Sequence, residues 1–332
     1  MSALIQTFLV PTVISLAVLI SIFIWGGWGA FALAVLLTIL EVTLSFDNAV
    51  INAKILKQMD EKWQRRFLTW GILVAVFGTR LVLPILIVAA SVAMSPWAIA
   101  QMAALDPIQY GHLLEGAHTA IAAFGGTFLL MVALKYFFDD AKSVHWIRSV
   151  ERHLARWGRI EAVEIGLALF LLLVIAYFAG NAATILTAGT IGILLFIVMQ
   201  GIANSFSMEA EKAVAVGSAA LFLYLNVLDA AFSLDGVIGA FAITSSLPII
   251  VAGLGIGAYY VRSLTIYFVR QKTLDTLVYL EHGAHWAILG LAGAMLVSLF
   301  FHVPEVITGL VGLIFVGFAG FSSVRAMRKG SS

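Results

Sequence analysis

Glu41-Val-Thr-Leu-Ser-Phe-Asp-Asn48 places two carboxylates and an amide in the middle of a long apolar segment. Charge in that setting is expensive, so it is read first as functional. The stretch occurs twice. Asp229-Ala-Ala-Phe-Ser-Leu-Asp-Gly236 repeats the order of an acid, Ser four residues on and Asp six residues on. Glu41, Ser45 and Asp47 thereby match Asp229, Ser233 and Asp235 at a constant offset of 188 positions. The flanking sequence keeps the order. Phe77-Gly-Thr-Arg80 and then Leu114-Glu-Gly-Ala-His118 follow the first copy. Tyr259-Tyr-Val-Arg262 and then Leu280-Glu-His-Gly-Ala-His285 follow the second. An internal repeat accounts for all three correspondences at once.

The composition decides the solvent. Of 332 residues, 62% are hydrophobic and only 11% charged, and the mean hydropathy is +1.04. Soluble domains do not reach these values, so an all-α polytopic membrane protein is expected. The absence of cysteine excludes disulfides, thiolate metal sites and thiol chemistry. The net charge of +1 gives no reason to expect a nucleic-acid partner. No basic region precedes the first apolar run, which reads as a span and not as a cleaved signal.

About 20 apolar residues cross a bilayer as a helix. About ten transmembrane helices result, near 4–25, 30–55, 68–94, 112–136, 161–180, 183–201, 213–243, 247–269, 283–301 and 304–324. The break at Gly180-Asn181-Ala182-Ala183 decides whether the fifth and sixth are separate. Lys and Arg residues follow the second, fourth, sixth, eighth and tenth spans, and the opposite connections contain none. Only Arg80 and Arg262 remain, both inside spans. The positive-inside rule then places both termini in the cytoplasm. With five spans per half, the repeats must be inverted. The first comprises 1–180, with core 30–137 and a basic cytoplasmic loop at 138–160, and the second comprises 181–332, with core 213–301. Inverted halves with polar residues meeting near the midplane are a plan of secondary transporters. In the loop, Ile147, Val150, Leu154 and Trp157 recur at helical spacing, with Arg148, Arg152, Arg156 and Arg159 on another face. That pattern predicts an interfacial helix on anionic lipid over 142–159, against an ordinary solvated loop helix.

Carboxylates are hard ligands suited to Mg²⁺, Ca²⁺ or Mn²⁺. Glu41, Asp47, Asp229 and Asp235 meeting at a midplane would hold a divalent cation, with Ser45, Ser233 and Asn48 as neutral ligands. On a straight helix Asp47 points about 120° away from Glu41. Either the two acids face different partners or the helix is unwound between them. The bland alternative is interhelical ion pairing with Arg80 and Arg262; four acids against two arginines leave negative charge over. Glu115/His118 and Glu281/His285 each share a helix face, as further ligands, as proton relays or as pairs that only position helices. His112, His282 and His302 lie near span ends and read as interfacial. No nucleophile motif supports an enzyme.

Glu41-Val-Thr-Leu-Ser-Phe-Asp-Asn-Ala-Val50 resembles the TerC integral membrane family, first named for tellurium resistance, over roughly 30–137 and 213–301. The resemblance implies a multi-pass protein of the bacterial inner (plasma) membrane that exports Mn²⁺, with Glu41, Asp47, Asn48, Asp229 and Asp235 at the ion site. Ca²⁺ or another divalent ion in place of Mn²⁺, and exchange for protons, stay open. No permanent cofactor is expected. Gly236 stands where the first repeat has Asn48, so the half-sites are not equivalent. The alternative is a non-transporting scaffold in tellurite or envelope-stress resistance.

Overall fold

A computed structural model describes residues 3–140, 142–160, 162–205, 212–244, 246–301 and 303–330. Among the described residues the regular structure is entirely helical. Helix α1 spans Ala3–Leu44 and is bent at Gly27, whose φ of 69° suits a residue without Cβ. It is followed by α2 (Phe46–Leu56). Then α3 (Glu61–Leu73) runs through a π-helical stretch, Val74–Val82, into α4 (Leu83–Ser91). Short helices α5 (Pro96–Leu105) and α6 (Pro107–Gly116) lead to α7 (His118–Phe137). The loop helix α8 (Arg148–Trp157) precedes α9 (Val163–Ala179) and α10 (Ala182–Ser205). The second half comprises α11 (Lys212–Ile243), α12 (Leu247–Arg270), α13 (Thr273–Thr276), α14 (Leu280–Val297) and α15 (Glu305–Gly330).

This is an all-α polytopic membrane protein, but the expected ten spans are not ten uninterrupted helices. Among the described residues six helices are long and apolar enough to cross a membrane: Thr7–Leu44, Glu61–Ala90, His118–Phe137, Ala182–Gly201, Leu247–Arg270 and Leu310–Arg328. The first carries the expected first span and part of the second on either side of Gly27. The expected third, sixth and eighth spans are long single helices close to their expected bounds, whereas two others are interrupted, which apolar length does not reveal. The second is broken at Ser45 and the fourth at Ala117. Val163–Ala179 is apolar but shorter, and Gly217–Ser233 is the apolar stretch of the longer α11. The break at 180–183 is a turn, with Gly180 at φ 82°.

Sorting by burial follows from the solvent. Helices α7 and α12 are largely buried. Tyr177 and Phe178 on α9 and Ile24, Trp25 and Trp28 on α1 are exposed. Bulky apolar residues on the outside belong against acyl chains, where no hydrophobic penalty attends their exposure. Close approach in the interior depends on glycine. A Cβ on Gly253 would lie 2.6 Å from that of Leu37, and one on Gly257 would lie 2.5 Å from that of Glu41. Helices α1 and α12 therefore pack almost backbone to backbone beside Glu41.

The connections that carry the basic residues meet at one end of the bundle. Lys57 pairs with Asp275 at 2.6 Å, the Asp60 amide donates to Ser218 Oγ at 3.1 Å, and the Tyr279 amide donates to Ser323 Oγ at 2.9 Å. The end of α2 and the beginning of α11 thus share one side, so these two helices run in opposite directions.

Candidate functional site

Burial forces pairing on most of the intramembrane charge. Glu41 is 2% exposed and Arg80 5%, and they form an ion pair in which Arg80 Nη2 donates to Glu41 Oε1. Ser45 Oγ donates to the same oxygen at 2.9 Å. Arg80 sits in the π-helical stretch, where its Nη1 also donates to the Ala75 carbonyl at 2.7 Å. The second half repeats the pairing. Arg262 Nη2 lies 3.1 Å from Asp229 Oδ2, and the guanidinium stacks 4.3 Å over the Phe67 ring. Each arginine thus joins the acid at the equivalent repeat position. The two pairs also act on one another, because Asp229 lies within electrostatic reach of Arg80.

Asp47 is placed differently. The chain leaves α1 at Leu44 and passes through Ser45 (φ −101°, ψ 16°) before α2 begins at Phe46. Both conditions raised by the 120° offset are therefore met: the helix is interrupted between the acids, and they face different partners. Glu41 faces α11 and α12, where a Cβ on Gly236 would lie 3.4 Å from Glu41 Oε2. Asp47 faces α15, where a Cβ on Gly312 would lie 3.8 Å from its carboxylate. Asp47 stands in the first turn of α2, where the helix dipole favours an anion.

Asp47 is 3% exposed, and its Oδ1 has no hydrogen-bond partner. No Lys or Arg pairs with it among the described residues. The same is true of other oxygens nearby in the chain. Asn48 Oδ1 and both polar atoms of the Asn52 side chain, one turn on, are buried without partners. On α11, which packs against α2, Ser233 Oγ and Asn226 Oδ1 are likewise unpartnered. A buried polar atom without a partner costs roughly 1–3 kcal/mol, so five such residues on two contacting helices need an explanation. Asp235 lies on α11, but its side chain is outside the described residues. Asn52 and Asn226 were not among the expected ligands; the four-residue step from Asn48 to Asn52 in an apolar run was the available signal.

The expected gathering of carboxylates is not seen among the described residues, where no three His, Asp or Glu side chains form a metal-binding group. Glu41 and Asp229 are arginine partners instead. The Glu/His pairs also separate. Glu115 is exposed and faces His112 at 4.0 Å, while His118 Nε2 lies 3.3 Å from Ser298 Oγ. Glu281 pairs with Lys54. His285 donates from Nδ1 to the Glu281 carbonyl at 2.9 Å and stacks on Tyr136 with centroids 3.5 Å apart.

His282, near the start of α14, is 3% exposed and donates to Glu151 Oε2 at 2.8 Å. His302 lies outside the described residues. Glu151, on the loop helix α8, is wholly buried. It also accepts from Trp286 Nε1 at 3.1 Å and from the Trp146 and Ile147 amides at 3.2 Å each, with Lys142 Nζ at 3.7 Å. Burial by itself would raise its pKa, but the His282 hydrogen bond and charge and the remaining donors hold it at about 2. Glu151 was missed because an acid inside a basic run reads as solvated; its place one turn from Ile147 and Leu154, on the apolar face, was the available signal.

No curated protein and no solved structure matches this chain. A protein family does: the chain matches the family described as a protein of unknown function, DUF475, over residues 46–330, and it belongs to that family.

Proposed function

We propose that this protein is a secondary transporter for a divalent cation, Mn²⁺ foremost, and that Asp47 is its central ligand. The observation that carries this reading is a buried carboxylate with no cationic partner, with unpartnered buried amide and hydroxyl oxygens on its own helix and on the contacting α11. Glu41/Arg80 and Asp229/Arg262 cancel in pairs, so Asp47 remains as net negative charge among the described intramembrane groups. Bare charge at such a position carries a large desolvation penalty, which a bound cation or a proton removes. Alternation between those two occupants is exchange of cation for proton, since protons and metal compete for the same oxygens. Oxygen-only ligands of one charged and several neutral groups suit a hard divalent ion and exclude a requirement for thiolate.

The resemblance to the TerC family supports export as the direction and the inner membrane as the location, and the one-sided distribution of Lys and Arg supports cytoplasmic termini. The antiparallel course of α2 and α11 and the duplicated acid–arginine pairs support inverted halves that rock about the ion. In this arrangement Asp235 is the second-half counterpart of Asp47. The neutralised pairs alone would suit a non-transporting scaffold, the second reading; Asp47 and its neighbours favour transport.

Purified protein in liposomes, loaded with a panel of Mn²⁺, Ca²⁺ and Mg²⁺, tests the proposal. Flux of at least one divalent ion is expected, and Asp47→Asn should abolish it while helical content and detergent stability remain. A folded Asp47→Asn protein that transports at the normal rate removes Asp47 from the site. Absence of flux for every ion leaves the scaffold.

A further inference from the structure

The loop helix α8 presents three faces. Glu151 and Ala155 are buried against the bundle. Arg148, Arg152 and Arg156 on α8 and Arg159 just beyond it are all exposed, and helical geometry brings the three on the helix within about 80° of arc. None of the four has an ion-pair partner among the described residues. On the side away from the arginines, Val150 is 41% exposed and Trp157 54%; Ile160 just beyond is 60% exposed. An exposed aromatic and aliphatic face opposite a basic one is the layout of a helix lying in the headgroup layer of a membrane. Chain connectivity puts α8 at that depth, since it joins the end of α7 to the beginning of α9.

We propose that α8 is a docking surface for anionic phospholipid headgroups of the surrounding bilayer, with Glu151 as the positioning residue that fixes its orientation. Trp157 and Val150 enter the headgroup layer, and the arginine stripe concentrates anionic headgroups around the bundle. A free amphipathic helix could turn to any azimuth. Here the hydrogen bonds from His282 and Trp286 to Glu151 set which side meets the lipid. The lipid surface is thereby tied to α14, whatever ion the protein carries. An acidic soluble partner would explain the arginines but would leave Val150, Trp157 and Ile160 exposed to water.

The test uses the full chain in vesicles of phosphatidylcholine with and without phosphatidylglycerol, either lipid being brominated on its acyl chains. The emission difference between wild type and Trp157→Phe isolates Trp157. Quenching is expected from both brominated lipids and more strongly from phosphatidylglycerol. Each Arg→Gln change should lower that preference about fivefold, and single variants serve if the quadruple one fails to insert. Equal quenching by the two lipids overturns the anionic preference. No quenching by either places this face in the cytosol and transfers the stripe to a soluble partner.

Discussion

Replacing Glu151 with Ala should release α8 from the bundle without disturbing the spans. Two of its hydrogen-bond donors, the Trp146 and Ile147 amides, belong to the same loop and survive undocking. The donors that join it to the membrane helices are His282 and Trp286. Hydrogen bonds to a charged group contribute about 1.5–3 kcal/mol each, so the pair is worth at least about 3 kcal/mol. The pKa of about 2 against the ordinary 4.5 corresponds to about 3 kcal/mol, an upper bound on docking because the Ile147 amide that survives undocking contributes to it. The expected result is amide exchange over 142–157 faster by about 100-fold, with α9 unchanged. Tryptic cleavage at the α8 arginines should rise in parallel. Glu151→Gln retains an acceptor and should lose less. The pH dependence has a fixed sign. Above pH 4.5 the carboxylate is ionised whether α8 is docked or free, and the full contribution is present. As pH falls from about 4.5 to about 2, the free state takes up the proton first, and docking weakens. Exchange over 142–157 that is indifferent both to Glu151→Ala and to this acid range would refute the latch.

Three further outcomes bear on the interior. Arg262→Gln should destabilise the protein by about 3–5 kcal/mol, because it strands Asp229 as an unpaired buried charge; adding Asp229→Asn should recover much of the loss in a detergent melt. Gly257→Ala should lower stability by roughly 1–3 kcal/mol by pushing α12 away from Glu41, and an unchanged melting temperature would mean that the 2.5 Å clash relaxes freely. In liposomes, Asp47→Asn should stop divalent flux at constant expression, whereas Ser45→Ala, which removes a hydrogen bond to Glu41, should only slow it.

What the sequence determined by itself was the solvent, the helical class and the duplicated polar motif. Hydropathy is a sum over residues and needs no partner, and the acid-Ser-Asp order is visible at any distance. It also placed Lys and Arg on alternate connections, and the contacts at one end of the bundle agree with that placement. It could not assign partners. Four intramembrane acids look alike in a string, yet Glu41 and Asp229 are neutralised by arginine while Asp47 is not. Helix interruption at Ser45 turns Asp47 toward α15, and a local backbone break leaves no mark in composition. The Glu/His motifs failed as clusters for the same reason. Their spacing fixes a shared helix face, but Lys54, Tyr136 and Ser298 come from other helices. Glu151 is the clearest case: charge in a basic loop predicts solvent, and only the packing of α8 on α14 supplies the His282 and Trp286 donors that make its burial affordable.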